Sequence, residues 1–124
     1  MSALKISDLS IGDWIKAGGE PARVIQLGIA GRNKAKGLSG KIYGFLTSVE
    51  IQPIPITPEI LEKNGFEENG GRWYNSNWRM EFEQYEDGWD RTINCGEYSV
   101  YFIKYVHQLQ NAMRLVGIDK EIEL

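Results

Sequence analysis

One segment, residues 53–66, restricts the fold of this 124-residue chain more than any other. Pro53 and Pro55 favour an extended connector, because proline fixes its own φ and restricts the residue before it. Thr57 is a good N-cap, Pro58 suits the first helical position, and Gly65 suits a left-handed residue just past the helix end. The predicted helix has about two turns and is too short to be stable alone. We therefore expect it to pack against a sheet.

Residues 1–52, which precede this helix, are predicted to form a small β-barrel of the SH3-like kind. Strand-like runs occupy residues 11–15, 22–28 and 41–51. Between the first two runs, Gly18-Gly19 favours a tight hairpin turn. Several short strands packed into about 50 residues are typical of small barrels.

Two finer expectations concern the middle of this half. Alternation along the second run places Ala22, Val24 and also Gln26 on one face of the strand. The stretch 28–40 holds four glycines and a basic cluster, so we predict a mobile loop there.

Residues 53–124 are predicted to contain the short helix, an antiparallel β-meander and a packed C-terminal helix. The run 78–83 alternates apolar and charged residues, as a strand with one covered face does. Asp87-Gly88 is a hairpin turn signal. From about Lys104, apolar residues recur at helical spacing up to Gly117. The fold class is therefore α+β, and we expect the two halves to form one compact unit.

Two motifs in this second half follow a shared pattern. They resemble a family of small uncharacterised proteins from gut bacteria and their phages and mobile elements, with the patterns P-[IL]-P-L-T-x-E-x-L-x-x-x-G-F and [FY]-V-H-Q-L-Q-N-L-Y. The resemblance covers about residues 50–117, departs from the pattern at Ala112-Met113 and at 117–119, and implies biological context and fold without an activity. The matching residues are Pro53, Ile54, Pro55, Ile56, Thr57, Glu59, Leu61, Gly65, Phe66, Tyr105, Val106, His107, Gln108, Leu109, Gln110 and Asn111.

The only histidine of the chain lies in the second motif, beside several amides. His107, Gln110 and Asn111 fall at positions i, i+3 and i+4 of the predicted helix and so lie on one side of it. One interpretation is a polar surface that hydrogen-bonds a partner. The other is that these side chains satisfy buried backbone groups of their own domain.

Basic residues concentrate in the first half. Residues 1–50 contain seven Lys or Arg against four acidic residues, a net charge of +3, whereas residues 51–124 contain seven against thirteen, a net charge of −6. A basic cluster beside aromatic residues is typical of nucleic-acid-binding surfaces, although the acidic half repels phosphate. The candidate nucleic-acid surface consists of Arg32, Lys34, Lys36 and Lys41.

The sequence gives little support to catalysis. Neither the phosphate-binding nor the dinucleotide-binding glycine pattern occurs, and His107 has no second histidine or cysteine at metal-ligand spacing. We therefore predict no catalytic, cofactor or metal site. The single cysteine, Cys95, and the lack of a long apolar run favour a cytoplasmic protein without a membrane segment.

Two functions remain in view after these exclusions. The favoured one is a non-enzymatic interaction or accessory module of phage or mobile-element origin, with a protein partner that the sequence does not identify. The alternative is a weak single-stranded nucleic-acid-binding protein that uses residues 32–41.

Overall fold

The first of two compact units, Met1–Ile54, is built on a curled, half-barrel-like antiparallel sheet. The structure is a computed structural model, and it describes residues 6–28, 32–45, 50–76, 78, 80–83, 91–95, 98–115, 117–118 and 120–124. A 3₁₀ turn, Ile6–Asp8, precedes the sheet. The five strands are β1 (Trp14–Ala17), β2 (Glu20–Gln26), β3 (Asn33–Gly37), β4 (Ile42–Phe45) and β5 (Ile51–Gln52).

The strands follow one another as a meander and then return to the start. Their spatial order is β4-β3-β2-β1-β5, and β5 pairs antiparallel with β1 through Lys16 and Gln52. The predicted hairpin between β1 and β2 is confirmed. Gly18 and Gly19 both have positive φ, 58° and 82°, as a two-residue type I′ turn requires.

The inner face of this sheet carries the core of the first unit. Alternate strand residues point inward, and Ala22 and Val24 do so as predicted. The prediction for Gln26 is wrong, because the pairing of β2 with β3 shifts between Val24 and Gln26. This β-bulge leaves Gln26 exposed and brings Leu27 against the core. The core cluster is Leu9, Ile15, Ala17, Ala22, Val24, Ala35, Phe45 and Ile51.

The stretch expected to be a mobile loop contains strand β3 instead. Its inward residues, Asn33, Ala35 and Gly37, are small and buried, whereas Lys34 and Lys36 between them are exposed. β3 pairs with a strand on each side, so its backbone groups are satisfied in the middle of the sheet. Pairing with both neighbours overrides the low strand propensity of glycine and lysine.

The strand-like run over residues 41–51 contains two strands. β4 and β5 both fall within it, yet they pair with different neighbours, β3 and β1 respectively. The two pieces therefore lie at opposite edges of the sheet. An unbroken strand would not reach both edges.

The second unit, Pro55–Leu124, combines a five-stranded antiparallel sheet with two helices, and the predicted α+β class is confirmed. The sheet order is β10-β9-β8-β7-β6. Pro55 forms a bridge with Tyr105 ahead of the second helix. In chain order the elements are α1 (Pro58–Lys63), β6 (Glu67–Asn69), β7 (Arg72–Asn75), β8 (Met80–Glu83), β9 (Arg91–Cys95), β10 (Tyr98–Ile103) and α2 (Val106–Leu115). The turn predicted at Asp87-Gly88 lies outside the described residues.

Helix α1 begins and ends where the sequence predicts. The Thr57 side chain accepts a hydrogen bond from the Ile60 N–H at 3.3 Å. At the other end, Gly65 has a φ of 88°, and its N–H donates to the Glu62 carbonyl. The Phe66 N–H donates to the Leu61 carbonyl at 2.9 Å, which completes a Schellman motif.

Helix α2 ends in the same way and begins later than predicted. The N–H groups of Gly117 and Ile118 donate to the carbonyls of Arg114 and Met113, so the predicted cap at Gly117 is confirmed. At the start, Gln108 Oε1 accepts the N–H groups of Lys104 and Tyr105 at 2.8 and 3.1 Å. These two residues therefore stay outside the helix, with Gln108 capping it.

The described residues of the second unit bury apolar side chains from both helices, from β7 and from the segments beside them. The Phe66 ring packs edge to face against the Trp78 ring, with the ring centroids 5.6 Å apart. Met113 and Leu109 are almost completely buried. Where burial is described in this unit, the buried apolar residues are Ile56, Leu61, Phe66, Trp73, Val106, Leu109, Ala112, Met113 and Ile122.

Candidate functional site

The strongest surface feature of the described residues is the outer face of the first sheet. Because the inner face is taken up by the core, the residues between the core positions point outward. This alternation exposes Lys16 on β1, and Lys34 and Lys36 on β3, while Arg23 on β2 is half-buried. We call these four cations the basic face.

The strand register brings the basic face together across the three neighbouring strands β1, β2 and β3. Trp14 lies opposite Arg23, Arg23 opposite Lys36, and Lys36 opposite Ile42. Directly opposed residues in antiparallel strands have Cβ atoms about 4.5–5.5 Å apart. Lys34 and Lys36 are two residues apart on one strand, which separates them by about 7 Å. The cations therefore form one continuous patch.

No acidic side chain belongs to this face among the described strand residues. Glu20 is the one carboxylate within β1–β5. It pairs with Ala17, whose side chain lies in the core, so Glu20 belongs to the inner side of the sheet and not to the basic face. The outward residues besides the cations are neutral. They are Trp14, Pro21, Ile25, Gln26, Ile42, Gly44 and Gln52.

Glu20 is held by hydrogen bonds between two turns. Its carboxylate accepts the Tyr43 hydroxyl at 2.5 Å and both the N–H and the hydroxyl of Ser39 at 2.8 and 2.7 Å. These bonds, that of Tyr43 first, lower the pKa of Glu20 from 4.5 to about 2, with a further contribution from the Lys41 charge. The same Glu20 contact raises the pKa of Tyr43. Glu20 is therefore ionised near neutral pH, and it offsets the charge of Lys41.

The predicted nucleic-acid residues separate into two groups. Lys34 and Lys36 lie on the basic face, and Arg32 is exposed immediately before β3. Lys41 belongs to the turn before β4, with its Nζ 5.3 Å from the centroid of the Tyr43 ring. The turn thus holds Lys41 beside Glu20, apart from the patch.

Two cations of the basic face were not expected from the sequence. Lys16 lies between buried Ile15 and Ala17, and Arg23 lies between buried Ala22 and Val24. This alternation is the signal that points both outward, but only the register shows that they join Lys34 and Lys36. The Arg23 guanidinium also covers the Trp14 ring at 4.7 Å from its centroid, in a cation–π contact.

The other predicted surface, on α2, is not one exposed patch. His107 and Gln110 are buried, with 1% and 7% of their surface exposed, whereas Asn111 is exposed. The His107 ring stacks on Tyr105 with centroids 6.0 Å apart. Asn111 Oδ1 accepts a hydrogen bond from Arg114 at 3.2 Å. The helix turns this side toward the interior because Val106, Leu109, Ala112 and Met113 are buried with it.

The tryptophans that the structure describes are buried or half-buried. Trp14 and Trp73 are buried, with 8% and 5% exposed, and Trp78 is half-buried. Trp89 lies outside the described residues. The tryptophans that the structure describes thus serve mainly as packing residues.

Comparison with known proteins adds no relative. No family model matches the chain, and neither the curated proteins nor the solved structures contain a match. Within the described ranges, no helix is long and apolar enough to cross a membrane. The same part of the chain has no group of three or more His, Cys, Asp or Glu arranged to hold a metal ion.

Proposed function

We propose that this chain is a non-enzymatic interaction module and that the basic face is its binding surface. The observation that carries the proposal is the clustering of Lys16, Arg23, Lys34 and Lys36 on a sheet face to which the described residues of β1–β5 contribute no carboxylate. A patch of one sign attracts a partner of the opposite sign and increases the rate of encounter. The partner is therefore an anionic one.

The anionic partner that fits this face best is the phosphate backbone of single-stranded nucleic acid. Cations spread over a continuous sheet face follow a backbone, whereas a compact anion needs convergent donors. The aromatic residue of the face, Trp14, is 8% exposed beneath Arg23 and offers little surface for base stacking. Binding is therefore weak, dependent on salt and independent of base sequence.

Two further features are consistent with this role. A four-stranded meander whose first strand pairs with the fifth is the arrangement that we assign to an SH3-like barrel. The resemblance in residues 50–117 supports an accessory protein of phage or mobile-element origin. The single cysteine supports a cytoplasmic one.

The proposal is tested by titrating a fluorescent single-stranded oligonucleotide with the protein at several salt concentrations. If all four cations contact phosphates, the logarithm of the association constant falls with the logarithm of the salt concentration with a slope of about −2.8. The double variant Lys34→Glu, Lys36→Glu removes two contacts and reduces the steepness by about 1.4. Its affinity at low salt falls as well.

Two single variants form a matched pair. Lys16→Glu weakens binding because Lys16 belongs to the basic face, whereas Lys41→Glu has a much smaller effect because Lys41 lies beside Glu20. Equal effects of the two changes contradict the assignment of the surface. If no oligonucleotide binds at low salt, but a host protein is captured and then lost with the double variant, the partner is an acidic protein. If neither binds, the interaction module itself is refuted.

A further inference from the structure

The last described segment of the chain, residues 120–124, is bound at the end of helix α1. It is neither helix nor strand, and Lys120, Glu121 and Glu123 are exposed. Ile122 among them is only 1% exposed, so the segment is anchored by one buried aliphatic side chain. A peptide that binds through its main chain and buries an apolar side chain as an anchor is a common form of bound peptide ligand.

The amide side chain of Asn64 binds the backbone of this segment at Glu123. Asn64 Nδ2 donates to the Glu123 carbonyl, and Asn64 Oδ1 accepts the Glu123 N–H, both at 2.8 Å. These two bonds reach only main-chain atoms and therefore impose no particular side chain at that position. The Lys63 ammonium adds a bond to the main-chain oxygen of Leu124.

The amide that holds the segment is itself positioned by its own unit. Asn64 caps helix α1, and its Nδ2 also donates to the Ile60 carbonyl at 2.8 Å. The Asn75 amide donates to the Asn64 carbonyl at 2.9 Å. Asn64 is therefore held in position by contacts that do not involve residues 120–124. Preorganisation of this kind reduces the cost of binding a peptide.

We propose that the end of helix α1, with Lys63, Asn64 and Asn75, is a peptide-binding site that the chain fills with its own residues 120–124. In trans, the site takes the same segment of a second copy of this chain. Each copy carries both the binding site and residues 120–124. Two copies therefore either exchange both segments and form a symmetric dimer, or one copy places its segment in the site of the other. The tethered segment has a high effective concentration, which keeps the wild-type site filled from within. This inference does not depend on the basic face.

The test mixes two variants, each of which lacks one side of the contact. Asn64→Ala damages the binding site but leaves residues 120–124 unchanged. Glu123→Pro removes the N–H that donates to Asn64 Oδ1 but leaves the binding site intact. Each variant alone is expected to sediment as the 14.1 kDa monomer. An equimolar mixture is expected to sediment at twice that mass, and an excess of synthetic peptide 117–124 is expected to dissociate the pair.

Two controls make the outcome decisive. Asn111→Ala removes an exposed amide of α2 and keeps the binding site and residues 120–124 intact, so its mixture with Glu123→Pro is expected to stay monomeric. Circular dichroism checks that every variant is folded, and Asn64→Asp replaces Asn64→Ala if the latter is unfolded. Folded variants that remain monomeric when mixed and do not bind the peptide overturn the proposal. A complex that also forms with Asn111→Ala overturns the assignment to Asn64.

Discussion

Asn33 gives the sharpest prediction about the stability of the first unit. Its side chain is 5% exposed and bridges two segments: Nδ2 donates to the Phe45 carbonyl at 3.0 Å, and Oδ1 accepts the Gly28 N–H at 3.2 Å. Each such bond contributes about 0.5–1.5 kcal/mol to the free energy of unfolding. Asn33→Ala removes both bonds and is expected to lower that free energy by about 1–3 kcal/mol.

The assay is urea unfolding followed by tryptophan fluorescence, with Asn69→Ala as the matched control. Asn69 is exposed on β6, so its replacement is expected to change the free energy of unfolding by less than about 0.5 kcal/mol. A third variant, Asn33→Asp, keeps the acceptor for Gly28 but turns an ionised oxygen toward the Phe45 carbonyl. It is expected to be no more stable than Asn33→Ala at neutral pH and to recover in acid, where a protonated carboxyl group donates a hydrogen bond. If Asn33→Ala costs no more than Asn69→Ala, the bridge does not stabilise the unit.

Three further predictions concern turns and caps. The folded pKa of Glu20, about 2, lies below its ordinary 4.5. Its stabilisation is therefore present above pH 4.5 and lost as the pH falls toward 2, and the difference between wild type and Glu20→Gln in urea midpoint should shrink over that range. Gly18→Ala is expected to destabilise more than Gly19→Ala in the same assay, because an added Cβ would lie 2.2 Å from the Tyr43 ring at Gly18 but meet nothing within 4 Å at Gly19. Gly65→Ala forces alanine into a φ of 88° and is expected to cost about 1–2 kcal/mol, measured by thermal unfolding.

Local signals explain the parts of the fold that the sequence predicted well. The limits of α1 depend on Thr57, Pro58 and Gly65, and every contact that fixes them lies within ten residues along the chain. The same is true of the cap at Gly117. Features of this range follow from the chemistry of neighbouring residues, and no tertiary partner is needed to specify them.

Strand β3 shows why other parts were not predicted. Considered alone, its glycine and lysines have a low propensity to form a strand. The position of Gly37 has a tertiary reason, because a Cβ there would lie 2.5 Å from the Glu20 carboxylate, which is far away in sequence. Strand β6 is a similar case, since Glu67, Glu68 and Asn69 are all exposed and form a strand by pairing with β7.

The candidate site was predicted only in part for a related reason. Lys34 and Lys36 were recognised as basic residues within one short stretch. Their connection to Arg23 depends on the strand register, which pairs Arg23 with Lys36. Beyond Val24, a bulge beside Ile25 that the alternation of the sequence does not reveal pairs Gln26 with Lys34. His107 and Gln110 were placed on one side of the helix, but their burial depends on what packs against that side.

The bond between Asn64 and Glu123 has a consequence for the synthesis of the chain. Its partners are 59 residues apart, whereas the longest strand pairing of the first unit, Lys16 with Gln52, spans 36. At about 5–20 residues per second, a ribosome needs roughly 3–14 s to pass from residue 54 to residue 123. The first unit has all its pairing strands during that interval, while the nascent second unit still lacks the segment that carries Ile122. A folding chaperone would therefore meet the second unit with an incomplete core.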